Sequence, residues 1–141
     1  MSNKEELLKN FFDAAEANDF SKVKSMVTDS FMFSGPVPEP LNKQGYMGFL
    51  KGNAVAFSEF KYNYENFQES GEMCNCRVTV SGKHTGELTV PGMDPIPATN
   101  KNFVLPSETV TATFEGEKIS KLEADPHPEG GIKGIIKQLT S

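Results

Sequence analysis

The stretch Val78-Thr79-Val80-Ser81-Gly82-Lys83-His84-Thr85-Gly86-Glu87-Leu88 begins as a period-2 alternation and carries a histidine out to its end. Successive strand residues point to opposite faces, so counting by twos from Cys74 places Cys76, Val78, Val80, Gly82 and His84 together. Asn75, Arg77, Thr79, Ser81 and Lys83 fall on the other side. The first set is the apolar one, so this register turns a titratable ring toward the core. In the competing register Gly82 sits in a bulge, which slips the alternation by one residue and turns His84 to solvent.

The same period extends outward from this stretch. Phe60, Tyr62 and Tyr64 alternate with Lys61, Asn63 and Glu65 in a first long strand, and Ser70-Gly71 supplies the turn into the strand from Cys74 to His84. Pro91-Gly92-Met93-Asp94-Pro95-Ile96-Pro97 reads as an extended loop. A third long strand is expected from about Asn102 to Phe114, with Pro106 at a bulge or edge because proline cannot donate to a ladder. After the Glu115-Gly116-Glu117 turn, a fourth runs from Lys118 to Ala124, making the second half an antiparallel meander.

The first half has the helical period instead. Ser2-Asn3-Lys4-Glu5 has the form of a capping box ahead of Leu8, Phe11, Phe12 and Ala15, spaced i, i+3, i+4, i+7. Asp19 is placed to cap a second helix bearing Phe20, Val23, Met26 and Val27. Phe31-Met32-Phe33 reads as a brief buried strand, ended by the proline-rich loop Gly35 to Pro40. Asn42 is placed to cap a third helix carrying Tyr46, Met47, Phe49 and Leu50, in which Gly45 and Gly48 hint at close packing. At the other end Ile132, Ile135, Ile136 and Leu139 form an apolar helical stripe after the loop Pro126-His127-Pro128-Glu129-Gly130-Gly131. Such a stripe needs cover, either on its own domain, as a lid over a cavity, or in a dimer interface.

A chain of 141 residues buries a sizeable core as one unit, so a single domain spanning 1–141 is expected. The net charge of -5 argues against a nucleic-acid surface. The first helical segment starts almost at Met1 with Lys4, Glu5 and Glu6, so no signal peptide is expected, and no apolar run reaches membrane-spanning length. A cytoplasmic or equivalent reducing compartment is expected. Cys74 and Cys76 share a strand face and suit packing better than bonding to each other, and no zinc-like spacing joins them to His84 or His127, so no metal is expected.

Two residues stand out as candidates for chemistry. Counting back from Val110, Ala112 and Phe114 places Glu108 on the apolar face of its strand, and a desolvated carboxylate near a histidine suits acid/base work. The alternative is a solvated Glu108 at the sheet rim. Tyr46, Tyr62 and Tyr64 are either core or the wall of an apolar site. Arg77 reads as a surface or interface charge and His127 as a loop residue. No nucleophile motif, phosphate-cradling loop or dinucleotide fingerprint occurs, so no cofactor is expected.

Phe11-Phe12-Asp13-Ala14-Ala15-Glu16-Ala17-Asn18-Asp19-Phe20, Gly35-Pro36, Lys83-His84-Thr85-Gly86-Glu87-Leu88 and Phe114-Glu115-Gly116-Glu117-Lys118-Ile119 together resemble the SnoaL-like branch of the nuclear transport factor 2-like superfamily. The resemblance spans nearly the whole chain. It implies an α+β cone in which helices close one side of a curved antiparallel sheet around a mostly apolar pocket, with a short C-terminal helix added, and it implies a homodimer. The implied pocket draws on Phe33, Tyr46, Phe49, Phe57, Tyr62, Val110 and Phe114, with His84 and Glu108 as its polar, catalytic candidates. The acid that polyketide cyclases of the branch use falls here on Val110, two residues from Glu108. Three functions are in competition. The first is binding of a small hydrophobic or carbonyl-bearing molecule, the second a cofactor-independent cyclase or isomerase working through His84 and Glu108, and the third a non-catalytic dimeric interaction module. No membrane or nucleic-acid partner is expected.

Overall fold

The computed structural model describes residues 3–35, 39–89, 94–125 and 131–140; the Ser2 cap, His127 and the start of the Pro91 to Pro97 loop, through Met93, lie outside them. Helix α1 (Asn3–Glu16) and helix α2 (Phe20–Ser25) come first, and the Asp19 carboxylate caps α2 by accepting from the Lys22 N–H. Val27, expected on the helix stripe, begins strand β1 (Val27–Ser34) instead. A two-residue strand β2 (Leu41–Asn42) leads into helix α3 (Lys43–Ala56), where the Asn42 side chain accepts from the Gly45 N–H at 2.8 Å. Gly48 has nothing within 4 Å of where a Cβ would stand, so the close packing expected there is not seen.

The three long strands are six short ones. The first divides into β3 (Phe57–Lys61) and β4 (Tyr64–Ser70), and the second into β5 (Met73–Val78) and β6 (Ser81–His84). The third divides into β7 (Asn102–Val104) and β8 (Glu108–Glu115), with Pro106 in the interruption. Strand β9 (Lys118–Ala124) and helix α4 (Gly131–Thr140) complete the order. A six-stranded sheet runs β2-β1-β9-β8-β5-β4, and a three-stranded sheet runs β3-β6-β7. The sheet is mixed rather than wholly antiparallel. Strand β1 lies parallel to β9, with Phe33 opposite Leu122.

The three interruptions coincide. The Thr79 N–H donates to the Tyr62 carbonyl at 2.9 Å, and the Leu105 N–H to the Val80 carbonyl at 2.8 Å. The Asn63 amide donates to the Thr79 carbonyl at 2.7 Å, and the Thr79 and Ser107 hydroxyls lie 2.6 Å apart. Three strands therefore turn one corner together and continue in a second sheet, which is how the expected curvature is achieved.

The inward register holds across that corner. Cys74, Cys76, Val78, Gly82 and His84 are all buried, and His84 is 0 % exposed. Gly82 is no bulge. It lies opposite Phe103, and a Cβ there would stand 3.0 Å from the Phe103 ring.

Gly86 is the second glycine that the fold requires. The Thr85 and Gly86 N–H groups both donate to the Ala56 carbonyl at 3.0 Å, so the backbone after His84 satisfies the end of α3. A Cβ on Gly86 would overlap the Val55 carbonyl. Replacing Gly86 by Ala therefore has to push α3 off β6, a small-to-large change with loss of a hydrogen bond. We predict a loss of about 2–3 kcal/mol, read as a lowered urea midpoint at unchanged slope.

Candidate functional site

Helix α3 presents Tyr46, Phe49 and Asn53, and the concave side of the corner presents Tyr62, Val80 and Leu105. Between them lies a cavity of about 90 Å3. Phe12 of α1, Phe33 of β1, Phe60 of β3, Val78 of β5, Glu108 and Val110 of β8, Leu122 and Ala124 of β9 and Ile135 of α4 complete its wall. Aromatic rings pack edge and face around it, with Phe33 and Tyr46 centroids 4.8 Å apart and Phe12 and Tyr62 5.0 Å apart.

Glu108 reaches this wall because it starts β8 on the inward face and pairs with Val78, where the corner begins. Burial pushes the Tyr46 phenol well above its ordinary pKa, and the neighbouring Tyr62 adds to this. Burial likewise raises Tyr62, with the Glu16 carboxylate contributing. Glu16 accepts the Tyr62 backbone N–H at 2.7 Å. Both hydroxyls therefore stay neutral and able to donate at any ordinary pH.

His84 is elsewhere. Its strand faces Phe57 in the three-stranded sheet, whereas Glu108 faces Val78, six residues earlier in the chain. Six extended residues span about 20 Å, and the corner at Thr79 and Val80 turns β6 away from β8. The proton-sharing contact expected from the two registers is not formed. The ring is instead tied to the segment before β7: the Thr99 N–H donates to Nδ1 at 3.2 Å and the Thr99 hydroxyl lies 3.0 Å from Nδ1. Nδ1 is thus an acceptor, which puts the neutral ring's proton on Nε2. That atom is buried without a hydrogen-bond partner.

Of the other residues expected to line a pocket, Phe33, Tyr46, Phe49, Tyr62 and Val110 are in the cavity wall and two are not. Phe57 packs on Phe103 at 5.1 Å beneath the three-stranded sheet. Phe114 shares the face of Val110 but lies four residues along β8, 1 % exposed in the core. Phe12, Asn53, Phe60, Val78, Val80, Leu105, Leu122, Ala124 and Ile135 also line the cavity and were not named for it from the sequence. Asn53 and Ile135 lie on helical stripes visible in the sequence, whereas Leu105 depends on a corner that no local pattern marks. Among the described residues no three His, Cys, Asp or Glu side chains are grouped to hold a metal, and no helix is long and apolar enough to cross a membrane. Burial raises the Cys74 thiol to about 11 and the Cys76 thiol to about 12, so neither is a ready nucleophile.

A family model for SnoaL-like polyketide cyclases matches residues 6–122, and the chain belongs to that family. No curated protein sequence matches it. Among solved structures, a provisionally assigned polyketide cyclase from Xanthomonas campestris pv. campestris is 13% identical, with 98% of this chain and 99% of that one covered and a TM-score of 0.75. AclR, provisionally assigned as a hydroxylase, from Streptomyces galilaeus is 12% identical, over 97% of this chain and 95% of that one, with a TM-score of 0.77. A hypothetical protein with a ketosteroid isomerase-like fold from Catenulispora acidiphila, in complex with trimethylamine, is 9% identical over 96% and 92%, with a TM-score of 0.72. At these identities the likeness is one of fold. The fold is the nuclear transport factor 2-like α+β cone.

Burial lowers the His84 pKa, with the Gly86 backbone pulling weakly the other way. A folded-state value below the unfolded one means that the unfolded chain takes up the proton first as pH falls. The contribution of neutral His84 is therefore intact above about pH 6.5 and lost progressively below it. In urea melts, the wild type should lose stability relative to His84→Asn between pH 7.5 and pH 5. Parallel pH profiles for the two proteins would show that His84 does not titrate differently on folding.

Proposed function

We propose that this SnoaL-like protein binds a small carbonyl-bearing molecule in the cavity between α3 and the corner. The observation that carries the reading is an aromatic and aliphatic wall with few polar groups. Two of these are the phenol groups of Tyr46 and Tyr62, which their surroundings keep protonated, and a third is the carboxyl group of Glu108. A ligand carbonyl accepts from Tyr46 or Tyr62, and the aromatic rings surround its apolar part.

The second reading is a cofactor-independent cyclase or isomerase. It is favoured by the family and by the presence of Glu108 in the same wall, whose carboxylate would remove a proton beside a carbonyl held by the tyrosines. In this reading His84 positions the end of α3 and the Thr99 segment rather than moving a proton. The probe for both readings is acetone. Its binding should shift the NMR resonances of Phe33 and Tyr46, and Tyr46→Phe should weaken it about three- to tenfold, the worth of one neutral hydrogen bond. If the protein is an enzyme of this class, it exchanges the ketone's α-protons with D2O. Glu108→Gln should then abolish exchange while changing affinity less than tenfold. No resonance shift up to the highest acetone concentration at which the protein stays folded would overturn the binding reading.

The outer face of the six-stranded sheet, with Met73, Arg77, Thr109, Thr111 and Thr113, is proposed as a homodimer interface, and a reducing cytoplasmic setting suits the two free thiols. Sedimentation equilibrium at tens of micromolar should give a dimer mass.

A further inference from the structure

The cavity is small for its wall. An apolar protein cavity of about 150 Å3 takes up benzene, and pockets for drug-sized ligands run from about 300 to 1,000 Å3. At about 90 Å3, this one holds a compound of only a few heavy atoms. What closes it on the α4 side is a single described side chain, Ile135.

Helix α4 is fastened to the three-stranded sheet by a short set of contacts. Ile135 and Leu139 are 5% and 2% exposed, in a cluster with Ala56, Phe57, Phe103 and Leu105. The Gln138 side chain pairs with the backbone of Val104 in both directions, accepting from its N–H at 3.1 Å and donating to its carbonyl at 2.8 Å. This covers part of the free edge of β7. The Lys101 ammonium donates to the Leu139 carbonyl at 3.1 Å, satisfying the end of the helix. The other wall residues belong to the six-stranded sheet, to the corner and its adjoining strand β3, or to α1 and α3. Among the described wall residues Ile135 alone stands on α4.

We infer that Ile135 sets the upper size limit of the ligand. With α4 seated the cavity admits a compound no larger than a short ketone, and a ring compound enters only when Ile135 is shortened or withdrawn. This rests on the cavity being the binding site, as proposed above. Shortening Ile135 to Ala removes three carbons. At roughly 30 Å3 each, comparable to a water's share of liquid volume, this brings the cavity to about 180 Å3 and past the benzene threshold.

The test is an NMR titration of the full chain with benzene and with the smaller acetone, on wild type, Ile135→Val and Ile135→Ala. Benzene should bind Ile135→Ala at least tenfold more tightly than wild type, with Ile135→Val between them, while acetone should bind the wild type. Wild type and Ile135→Ala binding benzene within twofold of each other would overturn the inference. If Ile135→Ala does not fold, Ile135→Val decides: a gain of twofold or more supports the size limit and no gain refutes it. The ketone arm separates the two claims. Ketone binding without any benzene gain removes the size limit and leaves the site. A benzene gain with no ketone binding to wild type removes the proposed ligand class and leaves the wall.

Discussion

The structure depends on one shared break. Three strands are interrupted at Tyr62-Asn63, at Thr79-Val80 and at Leu105-Pro106-Ser107, and Thr79 bonds to both of its neighbours at that level. Its N–H, carbonyl and hydroxyl are all used. Asn63 meets the geometry with a left-handed backbone, φ 47°, which asparagine tolerates better than most residues. Were the strands to run straight, α1 and α3 would pack on a flat face and fill it. Because they turn together, Tyr62, Val80 and Leu105 line the concave side, and a space remains between them and α3.

The His84-Thr85-Gly86 segment sets the other wall at a distance. Its backbone accounts for the Ala56 carbonyl at the end of α3, and that helix carries Tyr46, Phe49 and Asn53 into the cavity. The His84 ring meanwhile holds Thr99, and its backbone bonds to Asn100 and Lys101, whose ammonium reaches α4. One buried histidine therefore ties together two helices that border the cavity without touching it. An Nε2–H left without a partner costs about 1–3 kcal/mol, a cost that an apolar residue of similar size would avoid but that would forfeit the Thr99 contacts.

Much of this was legible in the sequence where the argument was local. The caps at Asp19 and Asn42, the inward set from Cys74 to His84 and the apolar stripe of α4 are periodicity and side-chain chemistry acting within a few residues. The corner was not, because alternation continues unbroken through Thr79 and Val80 while the strand changes sheet. That single omission accounts for the largest error in the site: two residues on inward registers, His84 and Glu108, were brought together by assuming continuous strands. The parallel pairing of β1 with β9 was hidden for a similar reason. It is set by where the chain returns after α3, not by anything in Phe31-Met32-Phe33.

The polar groups of the cavity divide the work by what each cannot do. Tyr46 and Tyr62, held neutral by burial, do not act as bases at ordinary pH but retain a proton to donate. A carboxylate at Glu108 supplies no proton when ionised and accepts one readily. A ligand oxygen facing the phenols is stabilised most when it carries developing negative charge, because the surrounding rings exclude the water that would otherwise screen it. Under the proposed carbonyl reading, the same wall would also favour the enolate formed from the ligand, so that binding and proton transfer would be two uses of one geometry. Which use is realised depends on whether a ligand carbon is held within hydrogen-bond reach of Glu108, a matter of ligand shape set by the wall between Val110 and Ile135.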